Sequence, residues 1–168
     1  MHKDQSIAAE NIPDMTLDRS MNSRYPASPQ PWKGRRLLWA DDSGLLLSLY
    51  QSVFESLGFA VLATSSPEEA LRQASSDAAD VAILDYDMPE MNGGVLASLM
   101  KGRCPTLPVI LYSGCAWIPH SAQHCVDAVC PKAAPREELL TTIERLSRQA
   151  RKSRGSESKP PWEPWSNH

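Results

Sequence analysis

Between about residues 35 and 150, the apolar positions alternate between short continuous runs and helical spacing. The runs Leu37–Ala40, Phe59–Ala63, Val81–Leu84, Val109–Tyr112 and Ala128–Cys130 have the length and composition of strands in a buried sheet. After the first run, Leu45, Leu49, Val53 and Leu57 recur every four residues, with Leu46, Tyr50 and Phe54 beside them. One wide apolar helix face is predicted there, ended by Gly58 as a left-handed cap. Ser66-Pro67-Glu68-Glu69 predicts the start of a second helix. Ser66 can accept from a free backbone N–H, Pro67 needs no donor at the first helical position, and Glu69 can reach back. That helix is expected to run to about Ala79, with Ala70, Leu71 and Ala74 inward. A Gly93-Gly94 turn is predicted before a helix carrying Val95, Leu96, Leu99 and Met100. Cys115 to Val126 is weakly patterned and holds Pro119, so its helix is expected to be short or irregular. Pro135 opens a last helix with Leu139, Leu140, Ile143 and Leu146 inward, and Arg145, Arg148, Arg151 and Lys152 toward its end, where cations suit the helix dipole. Strands alternating with helices imply an α/β fold: a doubly wound, five-stranded parallel sheet with helices on both faces.

A chain of 168 residues accommodates one domain of this kind, placed at residues 34–150. Residues 1–33 hold Pro13, Pro26, Pro29 and Pro31 without periodicity, and residues 151–168 are polar and proline-rich. Both flanks lack the apolar content to offset chain entropy and are expected to be disordered. Trp162 and Trp165 flank Glu163-Pro164, which reads either as a stiffened docking peptide or as a solvated tail. The longest apolar run is Phe59–Ala63, far short of a membrane span, so no membrane partner is expected. The start, Met1-His2-Lys3-Asp4-Gln5, lacks an apolar stretch, and a cytoplasmic location is expected.

Charge by segment is more informative than the net of −3. Residues 1–36 carry a net of +2, residues 37–134 a net of −7, and residues 135–168 again +2. An acidic middle argues against a nucleic-acid surface there. The four cysteines contain no CxxC pair, and disulfides are not expected in a reducing compartment. Cys115, His120, His124 and Cys125 can be read as zinc ligands, but their spacing matches no tight metal-knuckle pattern.

In an open parallel sheet, ligands bind outside the carboxyl ends of the strands. The candidate residues fall at those ends: Asp41 and Asp42 after the first strand, Asp85 after the third, Ser113 after the fourth, Lys132 after the fifth. Singly, each has a bland reading as a cap, a turn residue or a surface charge. Together they converge on one point. Three carboxylates gathered there repel each other unless a cation is present, and an all-oxygen set suits Mg²⁺. A carboxylate held beside Mg²⁺ can attack a phosphoryl group and become an acyl phosphate. Lys132 would neutralise one phosphoryl oxygen and Ser113 would hydrogen-bond another, so that positioning and charge carry the transfer.

The pair Asp41-Asp42, the run Val81 to Gly93 with its Asp-x-x-Met-Pro-x-Met-x-Gly pattern from Asp85, then Ser113 and Lys132, resemble the receiver domain of two-component response regulators. The resemblance covers about residues 35–150 and implies a flavodoxin-like fold. It implies that Asp85 accepts phosphate from a phosphohistidine on a sensor histidine kinase or phosphotransfer protein. It further implies Mg²⁺ held by Asp42 directly, by Asp41 mostly through water, by Asp85, and by the backbone carbonyl of Asp87. Ser113 and Lys132 would contact the phosphoryl group. The expected function is a stand-alone phosphorelay switch that signals to an unidentified protein target, with at most slow self-dephosphorylation rather than enzymatic turnover. Three positions depart from the family: Val129 stands where an aromatic switch residue is usual, Ala133 rather than proline follows Lys132, and the interval from Ser113 to Lys132 is short. Two alternatives stay open. One is an unphosphorylated pseudo-receiver interaction module. The other is a phosphatase of the haloacid-dehalogenase type, whose acidic pair would, however, follow the lysine.

Overall fold

Every apolar run forms a strand, and every strand is followed by a helix. The elements are β1 (Arg36–Ala40), α1 (Gly44–Ser56), β2 (Ala60–Thr64), α2 (Pro67–Gln73), β3 (Val81–Leu84), α3 (Gly93–Arg103), β4 (Val109–Ser113), α4 (His120–Gln123), β5 (Ala128–Pro131) and α5 (Arg136–Glu157). The structure, a computed structural model, describes residues 32–157 apart from 76 and 116. All strand pairs are parallel, in the order β2-β1-β3-β4-β5. The chain steps outward from β1 to β2 and then back across to β3, so the crevice between the ends of β1 and β3 is the topological switch point. Register places Ala40 opposite Leu84 and Leu84 opposite Leu111, so the residues that follow emerge side by side.

Side chains alternate across the sheet with period two and build two cores. Leu38, Ala82, Leu84, Val109 and Leu111 pack toward Ala70 of α2 and Leu96 and Met100 of α3. Leu37, Trp39, Val81, Ile83, Ile110 and Tyr112 pack toward Leu47 and Phe54 of α1 and Leu139, Leu140, Ile143 and Leu146 of α5. Gly58 adopts φ 95° and ends α1 as expected.

Several local expectations are corrected. The row Leu45, Leu49, Val53, Leu57 splits: Leu45 is 82% and Leu49 46% exposed, while Val53 and Leu57 pack against the core beside the buried Leu47 and Phe54. Two neighbouring rows of α1 are apolar, and periodicity alone cannot choose between them. The bulky indole of Trp39 makes the choice, stacking on Tyr50 at 4.6 Å and meeting Phe54 at 4.9 Å. Helix α2 stops at Gln73 rather than near Ala79, because Ala74 turns to an extended ψ of 95°. There the Leu71 carbonyl accepts from both the Ala74 N–H at 3.4 Å and the Arg103 guanidinium at 2.8 Å, and Ser75 caps the following turn by accepting from the Ala78 N–H. Ser66 does accept from the Glu69 N–H at 3.2 Å, whereas the Glu69 carboxylate binds Arg72 and Gln73. Gly93 and Gly94 lie inside α3, not before it, since Asn92 is the cap and accepts from the Val95 N–H at 3.0 Å.

Both domain boundaries also move outward. Trp32 belongs to the core: it stacks on Phe59 at 6.1 Å and its indole N–H donates to the Leu57 carbonyl at 3.0 Å. The boundary expected at 150 falls inside α5, which continues to Glu157 with Arg151 pairing to Asp80 at 3.5 Å. The remaining flanks, including Trp162 and Trp165, lie outside the described residues. No helix among the described residues is long and apolar enough to cross a membrane.

Candidate functional site

The buried ends of β1, β3 and β4 deliver Asp41, Asp85 and Ser113 to one crevice, and Lys132 follows β5. The backbone locks this arrangement: Asp85 N–H donates to the Ala40 carbonyl at 2.8 Å, and Lys132 N–H to the Ser113 carbonyl at 2.8 Å. Asp41 is 1% exposed and Asp85 6%, yet each has a charged partner. Lys132 Nζ lies 2.7 Å from Asp41 Oδ2 and 3.1 Å from Asp85 Oδ1. The second oxygen of Asp41 accepts from the Ser43 N–H at 3.0 Å, at the head of α1. Asp42 is exposed beside them, and carboxylate oxygens of Asp41, Asp42 and Asp85 all lie within 4.8 Å of one another. Ser113 is buried and its Oγ accepts from the Cys115 N–H at 2.9 Å.

One ammonium shared between two carboxylates sets the local electrostatics. Burial by itself would lower the Lys132 pKa, but its hydrogen bonds to Asp41 and Asp85 outweigh that and hold it above its ordinary value. For Asp85 burial wins: its carboxyl is raised, because Lys132 returns only part of what desolvation removes and Asp41 adds repulsion. The result is a carboxylate that gains from any further positive charge.

Sequence reasoning did not mark two supporting contacts. A Cβ at Gly93 would lie 2.2 Å from the Asp85 carbonyl oxygen, so glycine lets the start of α3 close against the site. The exposed Cys115 thiol donates to Asp87 Oδ2 at 2.7 Å, which holds that thiol's pKa above its ordinary value. Gly93 carried a signal in the Asp85-to-Gly93 pattern, whereas the Cys115 contact, made across 28 residues, carried none. The zinc reading is not supported: among the described residues, Asp41, Asp42 and Asp85 are the only group of three or more potential ligands. Cys115 is committed to Asp87, and Cys125 Sγ turns to the Ser121 carbonyl at 3.5 Å. Helix α4 is a single short turn, as its weak pattern suggested. Val129 is 38% exposed, and no peptide bond among the described residues is cis, Lys132-Ala133 included.

The family model described as the response regulator receiver domain matches residues 37–144, which spans all the site residues. The chain belongs to the response regulator receiver domain family. The receiver domain is 32% identical over 120 residues to the response regulator SaeR of Staphylococcus epidermidis, covering 68% of this chain and 52% of SaeR. It is 37% identical over 87 residues to the C4-dicarboxylate transport transcriptional regulatory protein DctD of Rhizobium meliloti, covering 52% of this chain and 19% of DctD. The chain thus spans about half the length of SaeR and much less of DctD. Among solved structures, a CheY-like receiver domain protein from Methanospirillum hungatei superposes with TM-score 0.64 at 21% identity, covering 72% of this chain and 99% of that one. The response regulator TrrA from Thermotoga maritima, crystallised in complex with Mg(2+)-BeF, gives 0.62 at 23% identity, covering 67% and 98%. These likenesses bear out the doubly wound parallel fold. In the receiver domain described here, the clustered oxygens of Asp41, Asp42 and Asp85, with Asp42 open to solvent, fit a hard, partly hydrated cation.

Proposed function

We propose that this receiver domain accepts a phosphoryl group on Asp85 from a phosphohistidine, borne by a sensor histidine kinase or a phosphotransfer protein. The observation that carries the reading is Lys132 Nζ bridging Asp41 and Asp85 beside the third carboxylate of Asp42. Asp42, Asp85, Asp41 through water, and the backbone carbonyl of Asp87 would hold Mg²⁺. When bound, that ion supplies counter-charge to the carboxylates and to the incoming phosphoryl oxygens. Asp85 oxygen forms a bond to phosphorus as the donor's phosphorus–nitrogen bond breaks, and the imidazole leaves carrying a proton on its other nitrogen. Lys132 swings its ammonium toward a phosphoryl oxygen, and the Ser113 hydroxyl, freed from the Cys115 N–H, donates to another. The chain works as a switch in the cytoplasm through protein contacts and does not turn over substrates beyond slow self-dephosphorylation.

The decisive experiment is labelling with acetyl phosphate and Mg²⁺, read by intact mass. The wild-type chain gains one phosphoryl group and Asp85→Asn gains none. A label that persists in Asp85→Asn places the acceptor elsewhere. An unlabelled but folded wild type favours the pseudo-receiver reading, and rapid turnover of a generic phosphate ester favours the phosphatase.

A further inference from the structure

We propose that the free edge of β2 is a self-association site, where a second copy of this chain adds its own β2 antiparallel about a two-fold axis at Leu62.

Strand β2 pairs only with β1 and forms one border of the sheet. Along a paired strand, successive residues direct their backbone groups to opposite sides. Ala60 N–H donates to the Arg35 carbonyl at 2.8 Å, and the Thr64 carbonyl accepts from the Asp41 N–H at 3.3 Å. Residues 60, 62 and 64 therefore turn their backbone groups toward β1, while Val61 and Ala63 turn theirs outward. Those outward N–H and C=O groups have no partner among the described residues.

Edge strands are ordinarily guarded against such pairing by a lysine, a proline, a bulge or short length. The opposite border is guarded: β5 has four residues and ends in Pro131, which has no N–H. The β2 border is not. It reads Ala60-Val61-Leu62-Ala63-Thr64, without charge or proline, in unbroken register with β1. Apolar surface is left open as well. Leu62 is 39% exposed and Ala60 is exposed, since the short α2 covers little of this strand.

The outward groups are self-complementary. With Leu62 set opposite Leu62 of a second copy, Val61 faces Ala63 of that copy and Ala63 faces its Val61. Both are pairs of the kind that exchange two hydrogen bonds, so every outward group finds a partner. Between them the two Leu62 residues make the non-hydrogen-bonded pair, whose side chains approach most closely and lie on one face. Charge at the ends of the seam agrees. Exposed Lys33 lies beside Gly58 at the Ala60 end, and exposed Glu68 opens α2 beyond the Thr64 end. Antiparallel pairing brings the Lys33 end of one copy to the Glu68 end of the other. Glu55, also at the Lys33 end, is engaged by Gln51 of its own helix at 3.0 Å. Because a two-fold contact uses the same edge of both copies and β5 is guarded, growth stops at two chains. The strands of the two copies run in opposite senses, so the acidic crevices lie at opposite ends of the joined sheet and both stay open.

The test follows the mass of the full chain by sedimentation equilibrium over a concentration series, with amide exchange of nitrogen-15-labelled protein read by NMR. Wild type should rise from one chain toward two, and the Val61 and Ala63 amides should be protected only where the mass has risen. Leu62→Lys sets like charges opposite each other and should stay a single chain, with a urea midpoint near wild type. Val129→Lys, on the guarded border, should associate like wild type. Under mild oxidation Leu62→Cys should join two chains through position 62, because that facing pair lies at the separation a disulfide needs, whereas Ala60→Cys should not. Peptide mass distinguishes this bond from any made by the native free cysteines. A wild type that remains one chain at every concentration, association unchanged in Leu62→Lys, or equal cross-linking through positions 60 and 62 overturns the proposal. So does protection of Val61 and Ala63 in a single chain at all dilutions, which assigns the edge to another segment of the same chain.

Discussion

A methyl group at position 93 would sit 2.2 Å from the Asp85 carbonyl oxygen and 2.9 Å from Leu111 Cδ2. The first of these is backbone and cannot swing aside, so Gly93→Ala must push α3 away from the site. The expected cost is roughly 1–3 kcal/mol in urea denaturation, with reduced labelling of Asp85 by acetyl phosphate. Asp42→Ala should behave differently because Asp42 is exposed and packs nothing. Folding stability without cation should change by no more than about 0.5 kcal/mol, while a Mg²⁺ titration goes flat. A Mg²⁺ response equal to wild type would remove Asp42 from the ligand set. The residues at the strand ends were legible because buried strands ending in charge are rare except where chemistry needs them. The thiol of Cys115 on Asp87 was not legible, since loop conformation rather than residue pattern creates it.

At the scale of elements, α1 shows what periodicity can and cannot decide. Its leucines at 45 and 49 look like core and are surface, whereas Phe54 is 2% exposed and lies against Trp39 and Phe59. Leu45→Ser and Leu49→Ser should each shift stability by no more than about 0.5 kcal/mol. Phe54→Ala should cost roughly 3–5 kcal/mol by the same urea measurement. Equal costs for the two kinds of change would mean α1 is rotated from the orientation described. The strands were read almost residue for residue because continuous apolar runs of their length fit few other structures. Helix ends were read less well, since the stop of α2 depends on Arg103 reaching from another helix to the Leu71 carbonyl.

Across the whole molecule, the charged site at one end of the sheet is matched by a buried ionic clamp at the other. Asp80, just before β3, accepts from the Arg36 N–H at 3.0 Å and pairs with Arg36 and Arg151 at 3.4 and 3.5 Å. Burial alone would raise its pKa, but these partners outweigh it and hold the carboxyl below its ordinary 3.8. A depressed carboxyl contributes stability that is fully present above the unfolded-state value and lost as pH falls through the folded one. Asp80→Asn should therefore cost roughly 1–3 kcal/mol near neutral pH, with the difference from wild type shrinking below about pH 4. Urea midpoints measured across that range check the sign. The clamp is invisible in the sequence because Arg36, Asp80 and Arg151 lie far apart along the chain and no local pattern joins them, whereas the layers and strand pairing follow from the alternation of runs alone. The edge position of β5 has a consequence for how the molecule opens. Strands β1, β3 and β4 are almost wholly buried, but β5 pairs only with β4, presents Val129 outward, and ends in Pro131, which has no N–H to give. Its amides should exchange with deuterium through local peeling, long before those of β3, which wait for global unfolding. Lys132 thus hangs from an edge strand while Asp41 and Asp85 are rooted in two of the firmest, so the cation can be withdrawn and returned without disturbing the acids it serves.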